Sequence, residues 1–377
     1  VSKRKRKARP AAKPKRRPAR RTPQQRREEE PDLLDLVVDA LVDDEPLPLL
    51  ALASSLLAAA DPRYRSALDD PDPDDPTVDD LISSLLSSPV LESSALLTAV
   101  AVLSGDEDLR KRAAREVADR AHSLPGWLVE LHRAEPADEV LEIVDPHGDG
   151  TQVLLDVTLL GGHAITAVVV IDVNVGDAVV DALIMPVGMD DAVEEMLTTW
   201  DDPDVTATPL APADARARLA AGIVFGDFLD PPFESETWPS ARPLVEWILR
   251  MLPDGGRRYE RHRWTETETA DLEQRFRASS AAEGLVDPDA ALAAILRFGT
   301  GTGCADPRRW SPARVEMLLL DWMPTAEAEA DASARIPDVL RAFVRWTDGE
   351  RQLRPDLTEW TLALLDELEP EYRAAFQ

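Results

Sequence analysis

Near Asp138 the apolar spacing of the chain changes from a period of about 3.6 to a period of 2, and after Pro186 it changes back. Helices on both sides of a run of strands confine the fold class to α+β. The expected order is an N-terminal helical bundle, a central antiparallel β-meander with helices, and a C-terminal all-helical portion. The strand-like segments are residues 140–144, 153–160, 165–172 and 178–185. A three-residue loop, Gly161-Gly162-His163, aligns Val153, Leu155, Val157 and Leu159 with Ile165, Ala167, Val169 and Ile171 on one apolar face, whereas a two-residue loop scatters them over both. A turn centred on Val175-Gly176 then adds Val180, Ala182 and Ile184 to that face. The opposite face carries Asp156, Asp172 and Asp181 and is expected to be wet.

Five helical segments fit between Asp32 and Arg133, punctuated by Pro46, the Asp/Pro-rich stretch 69–76, Pro89 and Ser104-Gly105. The first opens with the stripe Leu33, Leu34, Val37, Val38 and Leu41, and Thr77 with Asp80 reads as a helix-start cap. Tyr64 is the sole aromatic in the first 126 residues, so this layer must pack with Leu, Ala and Val. Helical spacing returns at Val193, Met196 and Leu197 and over residues 212–225, before a Pro- and aromatic-rich connection, 228–239. Seven of the nine tryptophans lie from Trp238 to Trp360, which predicts a differently filled, aromatic core. Its helix starts are marked by Thr265 with Glu268, Asp287-Pro288, Ser311-Pro312 and Asp356 with Glu359. The expected division is a tail, 1–31; a helical domain, 32–133; a sheet with helices, 138–255; and a helical Trp-rich domain, 256–377.

With 377 residues the chain can bury a large core without staples. Its one cysteine, Cys304, excludes an internal disulfide and a Cys-rich zinc cluster, although the thiol is expected to be accessible. No apolar run approaches the roughly 20 residues of a membrane span, and the basic N-terminus lacks the apolar run of a signal peptide. A cytoplasmic protein without membrane contact and without cofactors is expected.

Charge is segregated. Residues 1–27 hold 14 of the 42 basic residues and no acidic one, leaving 28 basic against 71 acidic residues, a net −43, in the remainder. Five of the six lysines are in the tail, so the body is nearly lysine-free. The tail has no apolar periodicity and is expected to be disordered. Its Lys3, Arg4, Lys5, Arg6, Lys7, Lys15, Arg16, Arg17, Arg20 and Arg21 are the candidate nucleic-acid-binding residues, acting by counterion release without sequence preference. No aromatic residue there can stack on a base.

Catalytic signals are weak. The segment Asp145-Pro146-His147-Gly148-Asp149-Gly150 looks like a cation loop but lacks the later bidentate glutamate, and reads as a hairpin turn. Gly299-Thr300-Gly301-Thr302-Gly303-Cys304 follows a helical pattern and lacks the Lys-Ser/Thr of a phosphate loop, so it reads as a helix end. His122, His132, His163 and His262 show no metal-ligand spacing. Two carboxylate groups remain: the strand aspartates, which suit a divalent cation if a helix covers them, and Asp227, Asp230, Glu234 and Glu236 around Phe233 and Trp238, which read as an aromatic plug with charges outward.

Ile171-Asp172-Val173-Asn174-Val175-Gly176-Asp177, then Asp181-Ala182, then Ala213-Asp214-Ala215-Arg216 leading into Ala221-Gly222-Ile223, resembles a module of uncharacterised bacterial α+β proteins, some of which carry an SEC-C-type metal-binding tail. The resemblance covers about residues 165–245 and implies a fold but no activity; Val180 stands where the module has a lysine, and no Cys-rich tail follows. The expected function is therefore a non-enzymatic interaction protein, with an acidic body for an unidentified protein partner and a tail that contacts nucleic acid. The alternative is a metal-dependent hydrolase built on the strand or connection carboxylates.

Overall fold

The computed structural model describes residues 33–64, 75–229, 234–326 and 330–375. The sequence-predicted nucleic-acid-binding residues of the tail lie outside them, as do Asp230 and Phe233. Within the described residues the fold is α+β: fourteen α-helices surround one six-stranded antiparallel sheet.

Five helices, α1 (Leu33–Val42), α2 (Pro46–Ala60), α3 (Val78–Ser87), α4 (Leu91–Leu103) and α5 (Glu107–Arg120), precede a single turn, α6 (Gly126–Val129). Thr77 caps α3 as a full capping box, its Oγ1 accepting from Asp80 N at 3.1 Å. The small side chains of α4 leave it buried on nearly every side, with Ala95, Leu97, Ala99, Val100 and Leu103 at the centre of the layer.

Strands β1 (Glu135–Pro136), β2 (Val140–Val144), β3 (Gly150–Thr158), β4 (Ala164–Asp172), β5 (Ala178–Met185) and β6 (Ala207–Leu210) form the order β5-β4-β3-β2-β6, with β1 paired to β3. The register is the one the three-residue loop predicts: Val153 lies opposite Val169, Leu155 opposite Ala167 and Val157 opposite Ile165, while Leu159 N donates to His163 O. One correction falls on β5. A bulge between Val170 and Ile171 places Val179, not Val180, opposite Ile171, so Val179 joins the core and Val180 drops out of the ladder. Strand β6 escaped prediction because it is short and carries Pro209, which only an edge tolerates.

The second sheet face is not simply wet. Helix α7 (Met189–Trp200) lies over it, and its Ala192 and Met196 pack with Ile143, Leu154, Val168, Met185 and Val205. The strands already hinted at this, since Val153-Leu154-Leu155 and Val168-Val169-Val170 are continuous apolar runs of the kind a sheet covered on both sides requires.

On the first face, α8 (Pro212–Gly226) and α9 (Trp238–Met251) close the layer, and one apolar cluster runs from Val37 through the sheet to Leu252. The aliphatic layer thus also takes Trp127, Trp238 and Trp247. Helix α9 contains Pro243, which disturbs the backbone ladder. Ser54 of α2 repairs it: its Oγ accepts from Leu244 N at 3.1 Å and donates to Ser240 O at 2.6 Å, splicing a hydroxyl into the helix.

A separate cluster starts at Leu272 and is formed by α10 (Glu266–Arg277), α11 (Asp289–Gly301), α12 (Pro312–Glu316), α13 (Ala330–Arg351) and α14 (Pro355–Ala375). Thr265 caps α10 and Ser311 caps α12, as expected. Two start signals shift: Pro288 itself is the N-cap of α11, and Asp356 lies inside the first turn of α14. No described helix is long and apolar enough to cross a membrane.

Candidate functional site: an arginine-lined cleft beside a polar junction

Asp156, Asp172, Asp181 and Asp227, singled out in the sequence, are dispersed, each engaged by its own partners. Asp156 accepts from Thr166 Oγ1 at 3.2 Å. Asp172 closes the β4–β5 turn by accepting from Asn174 N and Val175 N at 2.7 and 3.1 Å; burial nevertheless pushes its carboxyl up. Asp181 accepts from Ser235 Oγ and Thr237 Oγ1 at 2.6 and 2.7 Å, tying the bulged strand to the start of α9. Asp227 is paired with Arg242 at 2.5 Å, and Trp238 is buried. Among the described residues no three His, Cys, Asp or Glu side chains group so as to hold a metal ion.

Three segments that read separately, two as turns and one as a helix end, meet at one junction between the sheet and the C-terminal helices. The 145–150 hairpin is organised by Asp145, whose carboxylate accepts from His147 N and Gly148 N at 2.9 Å and from Gly150 N. Burial pushes the Asp145 carboxyl up against the pull of those donors. This turn seats His147 on α14, edge-on to Trp360 at 5.4 Å and 3.3 Å from Thr361 Oγ1. The β4–β5 turn and the glycine segment after α11 are joined by Arg261, which donates to Asp177 Oδ2 at 2.7 Å, to Val173 O at 2.7 Å and to Gly303 O. Gly303 has φ +62° and a Cβ there would stand 2.6 Å from Arg314 Nη1, so a glycine is required on both counts.

Behind that contact Arg314 is fully buried between Phe298 and Trp310, at 5.1 and 5.7 Å, and donates to Arg309 O and Thr302 O at 2.9 and 3.1 Å. Burial pushes its pKa below the usual arginine value. Cys304 lies here too. It is 7% exposed, which corrects the expectation of an accessible thiol.

Alongside the junction a cleft of about 620 Å³ opens between β2, β3, α8 and the segment 257–260 that links the two apolar clusters. Its lining holds Arg218, Arg257, Arg258 and Arg309 against Glu142, Asp214 and Glu260. Arg218 is fixed by Glu142 at 2.9 Å and Thr151 Oγ1 at 3.1 Å, and its guanidinium lies 5.1 Å from the centre of the Tyr259 ring. Arg257 is held to Asp214, its N donating to Oδ1 at 2.6 Å. Arg309 donates to Gly148 O, a neutral partner.

Of these cleft residues the sequence reading names only Gly148, as part of a turn, and Asp214, as part of the resemblance; none of the arginines or Tyr259 was singled out. A signal existed: Arg257-Arg258-Tyr259-Glu260-Arg261-His262-Arg263-Trp264 puts four arginines and two aromatics into eight positions of an otherwise acidic body. The arrangement provides fixed cations and an aromatic face for binding.

No known protein family, curated protein or solved structure matches the chain.

Proposed function

We propose that this is a non-enzymatic interaction protein whose basic N-terminal segment contacts nucleic acid and whose acidic body presents a surface to a protein partner. The observation that carries the reading is the charge segregation: 14 basic and no acidic residues in positions 1–27, beside a remainder of net charge −43. A polycationic segment neutralises phosphates and releases their counterions, while the body repels the same polyanion beyond close range. The tail thereby acts as a tether. The carboxylates that motivate the hydrolase alternative support it poorly, because Asp156, Asp172, Asp181 and Asp227 are engaged at four separate places.

The test keeps the full chain and replaces Lys3, Arg4, Lys5, Arg6, Lys7, Lys15, Arg16, Arg17, Arg20 and Arg21 by glutamine. Retention on immobilised duplex DNA or RNA at low salt is expected to disappear in that variant. Undiminished retention would remove the tail from the account.

A further inference from the structure

We propose that the arginine-lined cleft is a second, body-borne nucleic-acid site, which takes one phosphodiester-linked step of a single strand, with a base on Tyr259 and the phosphate between Arg258 and Arg309. It deepens the function proposed above by giving the tethered polyanion a place on the body, and so rests on that reading.

Three observations meet here. The first is electrostatic. Four guanidiniums face three carboxylates in the lining, an excess of one positive charge in a body that is otherwise strongly negative. Arg218 is committed to Glu142, and Arg257, 92% exposed in its side chain, reaches Asp214 at 3.6 Å, whereas Arg309 hydrogen-bonds to a neutral carbonyl and Arg258 is exposed. That charge suits a phosphodiester monoanion and not a triphosphate. The planar guanidinium of Arg309, anchored through one nitrogen, is preorganised for a phosphate oxygen.

The second is the ring. Tyr259 is 54% exposed, with Arg218 over the ring at 5.1 Å. A solvated tyrosine stacked on a fixed cation forms a platform on which any base can lie, as single-strand sites use. The tail has no such residue, so stacking must come from the body.

The third is construction. Arg218 is 12% exposed in its side chain and braced by two strands through Glu142 and Thr151, and the cleft wall at Gly148 is braced by Arg309. The platform is therefore carried by the sheet and by the junction with the C-terminal helices. A flexible linker alone does not hold it.

The experiment uses the full chain carrying the ten glutamine substitutions and glutamine also at Arg9, Lys13, Arg26 and Arg27, so that the tail holds no cation, and titrates fluorescein-labelled hexathymidylate at low salt. Saturable binding is expected to persist, to fall about tenfold or more with Tyr259→Ala, and to fall similarly with Arg258→Glu. Tyr259→Phe is expected to restore the affinity. Both side chains are exposed, and an unchanged melting temperature verifies that the variants fold. Absence of binding by the tail-substituted chain, or binding indifferent to both substitutions, overturns the cleft assignment. Tighter binding of ATP than of the oligonucleotide overturns the phosphodiester assignment. Retention of duplex by the unsubstituted chain is read separately, so failure of the tail and failure of the cleft give different results.

Discussion

The two large apolar clusters are filled in different ways. In the first, α4, its neighbouring helices and the apolar sheet face share one cluster filled mainly by Leu, Ala and Val, with Trp127, Trp238 and Trp247 as its tryptophans. In the second, Phe276, Phe298, Trp310, Phe343 and Trp346 stand edge-on, tilted or, for Phe298 on Trp310, stacked at centroid distances of 5.1 to 6.4 Å. The aromatic cluster also recruits cations at its rim, Arg275 over Trp346, Arg297 over Trp322 and Arg308 over Trp264, each 5.0 to 5.5 Å from the ring. A planar, weakly hydrated guanidinium packs on such faces better than an ammonium. The near-absence of lysine from the body is thus matched by a use for arginine that lysine fills poorly.

The largest expected effect separates the two clusters directly. Phe343→Ala deletes a fully buried ring and should cost about 3–5 kcal/mol, and Leu50→Ala in the first cluster about 2–5 kcal/mol. If the clusters unfold as distinct units, tryptophan fluorescence and far-UV signals in urea will show Phe343→Ala lowering only one of two midpoints. A single transition shifted alike by both variants would break the comparison.

Next in size is the junction. Arg261→Ala removes charge-assisted bonds to Asp177 and two carbonyls and leaves Asp177 without its partner, at a cost of about 2–3 kcal/mol. The expected readout is a wider gap between the two midpoints, because the variant loosens the contact and neither cluster. Smaller still, Thr265→Ala removes the capping box of α10 and should lower only the aromatic unit, by about 1 kcal/mol.

The last prediction is a slope. Asp348 is 1% exposed, accepts from Thr358 Oγ1 at 3.0 Å, and is pushed by burial above its ordinary 3.8, with Thr358 and Arg351 opposing. The folded protein therefore binds this proton more tightly than the unfolded chain does. Its contribution is complete below about 3.8 and is lost as pH rises through the folded value. Relative to Asp348→Asn, the parent should lose stability between pH 4 and pH 8, measured by urea midpoints. A parent that gains on the variant over that range would contradict the direction.

Local chemistry made much of this fold legible. The β3–β4 register follows from the 161–163 loop and two alternating apolar sets, and Thr77, Thr265 and Ser311 announce the helices that begin at the next residue. What stayed hidden depends on distant partners. The bulge at Val180 accompanies bonds from Asp181 to Ser235 and Thr237, more than fifty residues on, and a backbone bond from Ser235 N to Val180 O. The covering of the second sheet face needed α7 to fold back over Leu154 and Val168. The cleft was harder, because Glu142, Arg218 and Arg309 come from three elements and each reads locally as a solvated charge. The run from Arg257 to Trp264 was its one local trace. Similarly, residues 145–150 and 171–177 satisfy a turn reading and 299–304 a helix-end reading, and only the fold brings them to one junction.

The central claim, that the basic segment anchors the protein to nucleic acid, is tested most directly by the salt dependence of duplex binding. For the full chain, log K should fall steeply and linearly with log salt, by about 0.9 per phosphate contacted. The chain with glutamine at the ten tail positions should lose most of that slope and most of its affinity at low salt. An equal slope for the two chains would place the phosphate contacts elsewhere and contradict the account.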